Sequence, residues 1–430
     1  MDGFWPTFIR RKQTPPGSSL SAYDQPAQSF LNPRTVIIPL QEDPRGPYTC
    51  LVKAREDVAA GQKIGERGEA PFRLAIHATL SGKVKEVETH PSPQGVNVAS
   101  VVIESGGKEE TPLKIAPETG GGTDLLLQAG IPLEYLRLSS GNTDVLMVNG
   151  TGFEPNLAVH PYLLLREASR VVGGLKALME VFSIPRACVC LDRKQPGLLW
   201  ALEKEVGGER RIRLCPVGKA VPPAGEAAMA REVLKKRNGS FPRATFVDMA
   251  FLPAVWAAVE ERLPFIERVI TVSGSGIPRP VNIRVRIGTP FGEVISRCGG
   301  DLESITQIVM GGALTGVSQP TAQVPVTHRT PGILALVSFA MGKGHQSKMY
   351  EEGPCIRCAK CVDRCPVSVL PNLIAAYCRK KMFAEAVEKG LFVCIDCGLC
   401  TYVCPARIPL AEILREAKAR KGLFADEAVS

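Results

Sequence analysis

The stretch that decides the fold reads Pro354-Cys355-Ile356-Arg357-Cys358-Ala359-Lys360-Cys361-Val362-Asp363-Arg364-Cys365-Pro366. It returns as Val393-Cys394-Ile395-Asp396-Cys397-Gly398-Leu399-Cys400-Thr401-Tyr402-Val403-Cys404-Pro405. Each run is C-x2-C-x2-C-x3-C-P, the spacing at which thiolates hold paired [4Fe–4S] clusters. Three thiolates two residues apart can wrap one face of a cubane if the backbone between them is a tight loop. The fourth lies too far along to close on the same cube and crosses to the other. The expected sets are therefore Cys355, Cys358, Cys361 and Cys404 for one cluster, and Cys394, Cys397, Cys400 and Cys365 for the second. Structural zinc would use two C-x2-C pairs per site with no trailing C-P. A disulfide framework suits short secreted domains, not this chain.

The totals bound the rest. At 430 residues, 45% hydrophobic and 22% charged, the chain has enough apolar content for several folded domains. No stretch approaches the ~20 apolar residues that cross a bilayer. The best candidate, residues 333–341, is short and bracketed by Gly332 and Gly342. Residues 1–11 lack the apolar core of a secretory signal. The expectation is a cytoplasmic protein with no direct membrane insertion, peripheral to a membrane only through partners. The formal charge of +9 counts the cysteines as neutral; thiolates around two cubanes would lower it to about +5. No Lys/Arg block is interleaved with aromatics, so nucleic acid is not an expected partner. The basic run at 415–421 is expected to solvate a helix or face an acidic redox partner.

Taken in order, residues 1–30 are rich in Pro, Ser and Gln and read as an extended arm. Residues 31–108 carry short strands between Gly turns, as in a small sandwich. Their phrases Val58-Ala59-Ala60-Gly61-Gln62-Lys63-Ile64-Gly65 and Ile76-His77-Ala78-Thr79-Leu80-Ser81-Gly82-Lys83-Val84 resemble the barrel-sandwich fold of biotinyl and lipoyl carriers. The Met-Lys-Met setting of a modified lysine is missing around Lys83, so the module reads as structural, and His77 as a packed residue at a strand end. After a Gly-rich linker, residues 125–265 alternate strand and helix, which argues for a parallel, Rossmann-like α/β sheet. Its ligand loop is expected at 149–156, beyond a strand's carboxyl end. Residues 266–330 turn back to β with one short helix, a β-grasp pattern. From residue 331 to 430 the chain reads as helical and carries the clusters. The fold class is thus multidomain α+β and α/β: barrel-sandwich hybrid, Rossmann-like domain, β-grasp domain, and helical dicluster ferredoxin-like domain.

This order of modules resembles the RnfC family of electron-transport subunits over about residues 34–420. The likeness rests on Ile76-His77-Ala78, Asn149-Gly150 with Glu154-Pro155, Glu267-Arg268-Val269, Thr271-Val272-Ser273-Gly274, Ile287-Gly288-Thr289-Pro290, Gly311-Gly312 with Gly316, and the cysteine runs. The resemblance implies a soluble-ligand-binding (SLBB-like) identity for the β-grasp unit, and flavoprotein- or ferredoxin-type redox subunits as partners. It also implies FMN and NADH held at a G-x-G-G-A-G-F-P-T segment after an A-G-I turn. Here Ala129-Gly130-Ile131 is followed instead by Pro132-Leu133-Glu134-Tyr135-Leu136-Arg137-Leu138-Ser139-Ser140-Gly141. The phosphate-cradling glycines are gone, and bulky side chains stand in their place. The family's N-G-A-E-C-E-P has become Asn149-Gly150-Thr151-Gly152-Phe153-Glu154-Pro155, leaving Asn149 and Glu154 as a vestigial FMN loop.

The expected function is an electron-transfer subunit of a larger oxidoreductase complex, relaying single electrons through two [4Fe–4S] clusters without an NADH site of its own. The alternatives are an FMN-containing, NADH-oxidising RnfC-type enzyme, or an iron–sulfur module that binds a corrin, a quinone or a partner. Asp363, Arg364 and Asp396 adjoin the cysteines and read as solvated charges. The other cysteines (Cys50, Cys188, Cys190, Cys215, Cys298 and Cys378) read as small buried hydrophobes, with Cys188 and Cys190 expected on opposite faces of a strand.

Overall fold

The computed structural model describes residues 26–42, 46–68, 73–107, 111–116, 121–133, 138, 143–193, 195–217, 226–234, 242–337 and 352–419. Most of the expected arm and most of the loop at 132–141 lie outside them. The arm's end does not. Gln28–Phe30 forms strand β1, pairing in parallel with a strand more than 250 residues later. The pairing is made by backbone groups, which a Pro- and Gln-rich composition does not reveal.

The barrel-sandwich module has two sheets. Strands β2 (Thr35–Pro39), β3 (Thr49–Cys50), β4 (Asp57–Val58), β5 (Lys63–Arg67), β6 (Leu74–His77), β7 (Gly82–Pro91) and β8 (Asn97–Ser105) follow in order. They sort into a four-stranded sheet, β2-β8-β7-β4, and a three-stranded sheet, β3-β5-β6. Alternate residues along a strand share a face, so Val36, Ile38, Val101 and Ile103 turn inward together.

In the α/β unit, β9 (Val145–Gly150), β10 (Ala187–Asp192), β11 (Ile212–Val217) and β12 (Ala244–Val247) run parallel in the order β11-β10-β9-β12. β9 is buried along its whole length, as a central strand of a covered parallel sheet must be. The helical stretch expected at 160–181 is two helices, Val159–Arg166 and Ala168–Val181. Gly174 lets the second press on the helix Leu252–Trp256; a Cβ there would stand 2.0 Å from the Leu252 carbonyl oxygen. One apolar core runs from the sandwich (Ile64, Ile76) through Leu126 and Ile131 into the α/β unit, so the two pack as one body. Cys188 and Cys190 share a face with Cys215 in a separate cluster under Met229. This corrects the opposite-face expectation, because residues two apart on a strand project to the same side.

The β-grasp unit adds β13 (Glu267–Ser273), β14 (Val281–Arg286), β15 (Gln307–Met310), β16 (Val317–Gln319) and β17 (Gly332–Leu336), with the helix Phe291–Arg297 packed on them. Together with β1 they make a six-stranded sheet, β1-β14-β13-β17-β15-β16. β17 falls where the sequence reads as the start of the helical region. A short apolar run is ambiguous in period, and here pairing with β13 and β15 decides for strand.

The C-terminal region is helical over its described residues and carries an internal repeat. The short helices Lys360–Asp363 and Leu399–Tyr402 each contain the third cysteine of a run. Longer helices, Pro371–Arg379 and Leu410–Ala419, follow each run and pack on one another around Ile374 and Leu414. Left-handed residues recur at the same places: Arg357 with Asp396, Ala359 with Gly398, and Ser368 with Arg407. Each tight loop that the x2 spacings demand is made by such residues, two per run between the first and third cysteines.

Candidate metal centre

The fourth cysteine of each run lies near cysteines of the other, Cys404 beside Cys361 and Cys365 beside Cys394 and Cys397. Burial raises the Cys361 thiol, and Cys404 raises it further. Burial likewise raises Cys394, with Cys365 adding to it. Cys397 is pushed up to about 11 by burial and then by Cys394 and Cys365. Cys400 is raised by burial and by Cys397, Cys394 and Cys361, so the two pockets lie side by side. Backbone amides point at the sulfurs: Val362 and Asn372 at Cys361, Asp396 at Cys394, Leu399 at Cys397, and Thr401 at Cys400. Amide donors of this kind favour thiolate and are a lever on cluster potential.

This donor set fits tetranuclear iron–sulfur clusters. The thiols are soft, crowded and reluctant to ionise alone, and positive iron would draw off their protons. Among the described residues no three His, Cys, Asp or Glu side chains converge as they would on one metal ion; around a cubane each thiolate takes a different iron. The runs differ in exposure. Cys355 and Cys358 are exposed, whereas Cys397 and Cys400 are buried.

The charges beside the cysteines are not all solvated. Lys418 reaches back to the Asp396 carboxylate at 2.9 Å and to the Cys394 carbonyl, and Arg415 donates to the Asp396 carbonyl at 3.3 Å. Part of the basic run at 415–421 therefore pins the last helix onto the second cysteine loop. Its complementary acid lies in that loop, which the run's own composition does not show. Arg379, at the matching place after the first run, pairs instead with Glu352.

Asn149 is the second-last residue of β9 and Glu154 lies just beyond its carboxyl end, next to the point where strand order reverses between β9 and β12. Asn149 Oδ1 accepts from the Thr151 amide at 3.2 Å and its hydroxyl at 2.8 Å, closing a local turn. Glu154 reaches out of the α/β unit altogether. Its Oε2 accepts from the Leu314 amide at 3.0 Å, and its Oε1 from the Thr315 amide at 2.8 Å and hydroxyl at 2.5 Å. Burial raises the Glu154 pKa, and these donors oppose the rise. The acceptors assigned to a vestigial FMN loop are thus engaged within the protein. A separate cleft of about 460 Å³ lies between the α/β and β-grasp units; Glu167, Arg268 and Arg284 are among the side chains lining it.

Sequence comparison divides the chain into four matched regions. The RnfC barrel sandwich hybrid domain matches residues 14–108, the Nuo51 FMN-binding domain 129–253, the SLBB domain 269–317, and the 4Fe-4S dicluster domain 347–405. Among curated proteins, the chain is similar to the C subunit of the Na(+)-translocating ferredoxin:NAD(+) oxidoreductase complex of Acetobacterium woodii, at 29% identity over 86% of this chain and 87% of that one. It is also similar to the C subunit of the proton-translocating ferredoxin:NAD(+) oxidoreductase complex of Clostridium ljungdahlii, at 29% identity over 87% and 85%. The C subunit of the ion-translocating oxidoreductase complex of Rhodobacter capsulatus is 28% identical over 90% and 78%. Among solved structures, a chain of NAD+-reducing [NiFe]-hydrogenase in the H2-reduced state aligns with a TM-score of 0.40 at 15% identity. That alignment covers 68% of this chain and half of the hydrogenase chain, a likeness too slight to argue from.

Proposed function

We propose that this chain, a member of the RnfC family, is an electron-transfer subunit of a larger oxidoreductase complex and works with the other subunits of that complex. Cys355, Cys358, Cys361 and Cys404 would hold one [4Fe–4S] cluster, and Cys394, Cys397, Cys400 and Cys365 the other. The observation that supports this reading is the proximity of Cys404 to Cys361 and of Cys365 to Cys394 and Cys397. Bound clusters would supply one-electron transfer. The chain's own part is to bury Cys361, Cys397 and Cys400, aim backbone amides at their sulfurs, and fix both pockets on one small core. No helix among the described residues is long and apolar enough to cross a membrane.

The relatives are named as subunits of ferredoxin:NAD(+) oxidoreductase complexes, which supports a partner of redox type. The Nuo51 FMN-binding match at 129–253 supports a second reading, an FMN-containing NADH oxidase. Against it, Asn149 and Glu154 already accept hydrogen bonds from the protein itself.

Anaerobic purification with native partners, followed by iron, sulfide and flavin analysis, tests both. The relay predicts about eight irons per chain and no flavin absorbance that NADH bleaches. Stoichiometric flavin bleached by NADH would favour the second reading, and a chain free of iron would end the first.

A further inference from the structure

The two cysteine loops repeat each other in spacing, helix placement and left-handed residues, yet one matched pair of positions has different surroundings. Ala359 and Gly398 correspond, with φ of 58° and 73°. The first shows that a side chain is tolerated in this conformation, so glycine at the second needs another cause. A Cβ on Gly398 would stand 2.6 Å from the Leu314 carbonyl oxygen, in the loop between β15 and β16. Ala359 is exposed, while Gly398 is buried. The second loop is therefore seated on the β-grasp unit by backbone-to-backbone contact, and the first opens to solvent.

The seat itself is braced from the α/β unit. Leu314 gives its amide to Glu154 and turns its carbonyl to Gly398, while Thr315 gives Glu154 its amide and hydroxyl. Two further glycines make room for this. A Cβ on Gly312 would lie 2.3 Å from Glu154 Oε2, and one on Gly316 would lie 2.2 Å from the Gly312 carbonyl oxygen. One carboxylate thus ties the end of β9 to the loop that carries the second cysteine run.

We infer that the two cluster pockets are inequivalent: the pocket of Cys394, Cys397, Cys400 and Cys365 is the body-side one, and Glu154 is the positioning residue that seats it. The pocket of Cys355, Cys358, Cys361 and Cys404 is the outer one, with two exposed cysteines. The assignment of clusters to these pockets rests on the proposed function; the brace itself does not.

The test is hydrogen exchange on the full chain, purified anaerobically, together with a redox titration followed by electron paramagnetic resonance. Glu154→Ala leaves the Leu314 and Thr315 amides without this acceptor, and exchange across residues 311–316 and 394–404 should rise about tenfold. Exchange across 355–365 should stay as it was, and one of the two cluster signals should shift in potential. Glu154→Gln keeps one acceptor oxygen and should fall between. Gly398→Ala should loosen 394–404 while sparing 311–316, and Ala359→Gly should do neither. Unchanged exchange at 394–404, or an equal rise in both cysteine runs, would overturn the inference. Absence of iron would remove the cluster reading, while the exchange pattern would still decide the brace.

Discussion

Gly398 and Ala359 hold the same left-handed conformation in two matching loops, but Gly398 is buried against the Leu314 carbonyl and Ala359 faces solvent. The difference is one of neighbours, not of backbone preference. Gly398→Ala should therefore cost about 1–3 kcal/mol, because backbone has to move. Ala359→Gly should stay within about 0.5 kcal/mol. Denaturant midpoints of the two variants against the parent chain check the contrast.

Cys361→Ala and Cys400→Ala each remove one buried cysteine proposed as a cluster ligand. Each variant should lose one cluster's paramagnetic signal, lower iron by about four per chain, and stop through-flow of electrons. The α/β sheet, whose core is separate from the cysteine region's, should melt as in the parent chain. Undiminished electron flow in either variant would refute the relay.

His77, at the end of β6, is held neutral. Burial first, and then the neighbouring His328 and Lys63, lower its pKa to about 3. Its folded pKa lies below the unfolded value of 6.5, so the unfolded chain takes up the proton first. The stability contributed is fully present above pH 6.5 and is lost as pH falls toward 3, at up to about 1.4 kcal/mol per pH unit. Urea midpoints between pH 7 and pH 4 should fall less steeply for His77→Gln than for the parent chain.

Arg284 bridges two carboxylates, Glu167 of the α/β unit and Glu267 of the β-grasp sheet. Glu167 is buried, and its Oε2 has no hydrogen-bond partner among the described residues. Arg284→Met would strand that charge and should cost about 3 kcal/mol. Glu167→Gln added to it should recover much of the loss. A double-mutant cycle on melting free energies checks the coupling.

The dicluster region was legible because its chemistry is local: C-x2-C-x2-C-x3-C-P is the spacing of paired clusters before any packing is known. The parallel sheet was legible for a similar reason, since β9 is an unbroken apolar run ending in a polar turn. The strand Ile212–Val217 and the helix Glu226–Val233 went unread, their patterns being weaker. The partners of Glu154 could not be read from sequence, because Leu314 and Thr315 lie about 160 residues away in another unit. Arg415 and Lys418 looked like a solvated run until Asp396 was placed beside them. Sequence alone determined what the thiolates can bind and the order of the modules. Only tertiary structure decided that β1 and β17 complete one sheet, and that one cysteine loop is seated while its twin is open. Spacing along the chain constrains neighbours in sequence, whereas which surface meets which is set by packing between elements that no local pattern records.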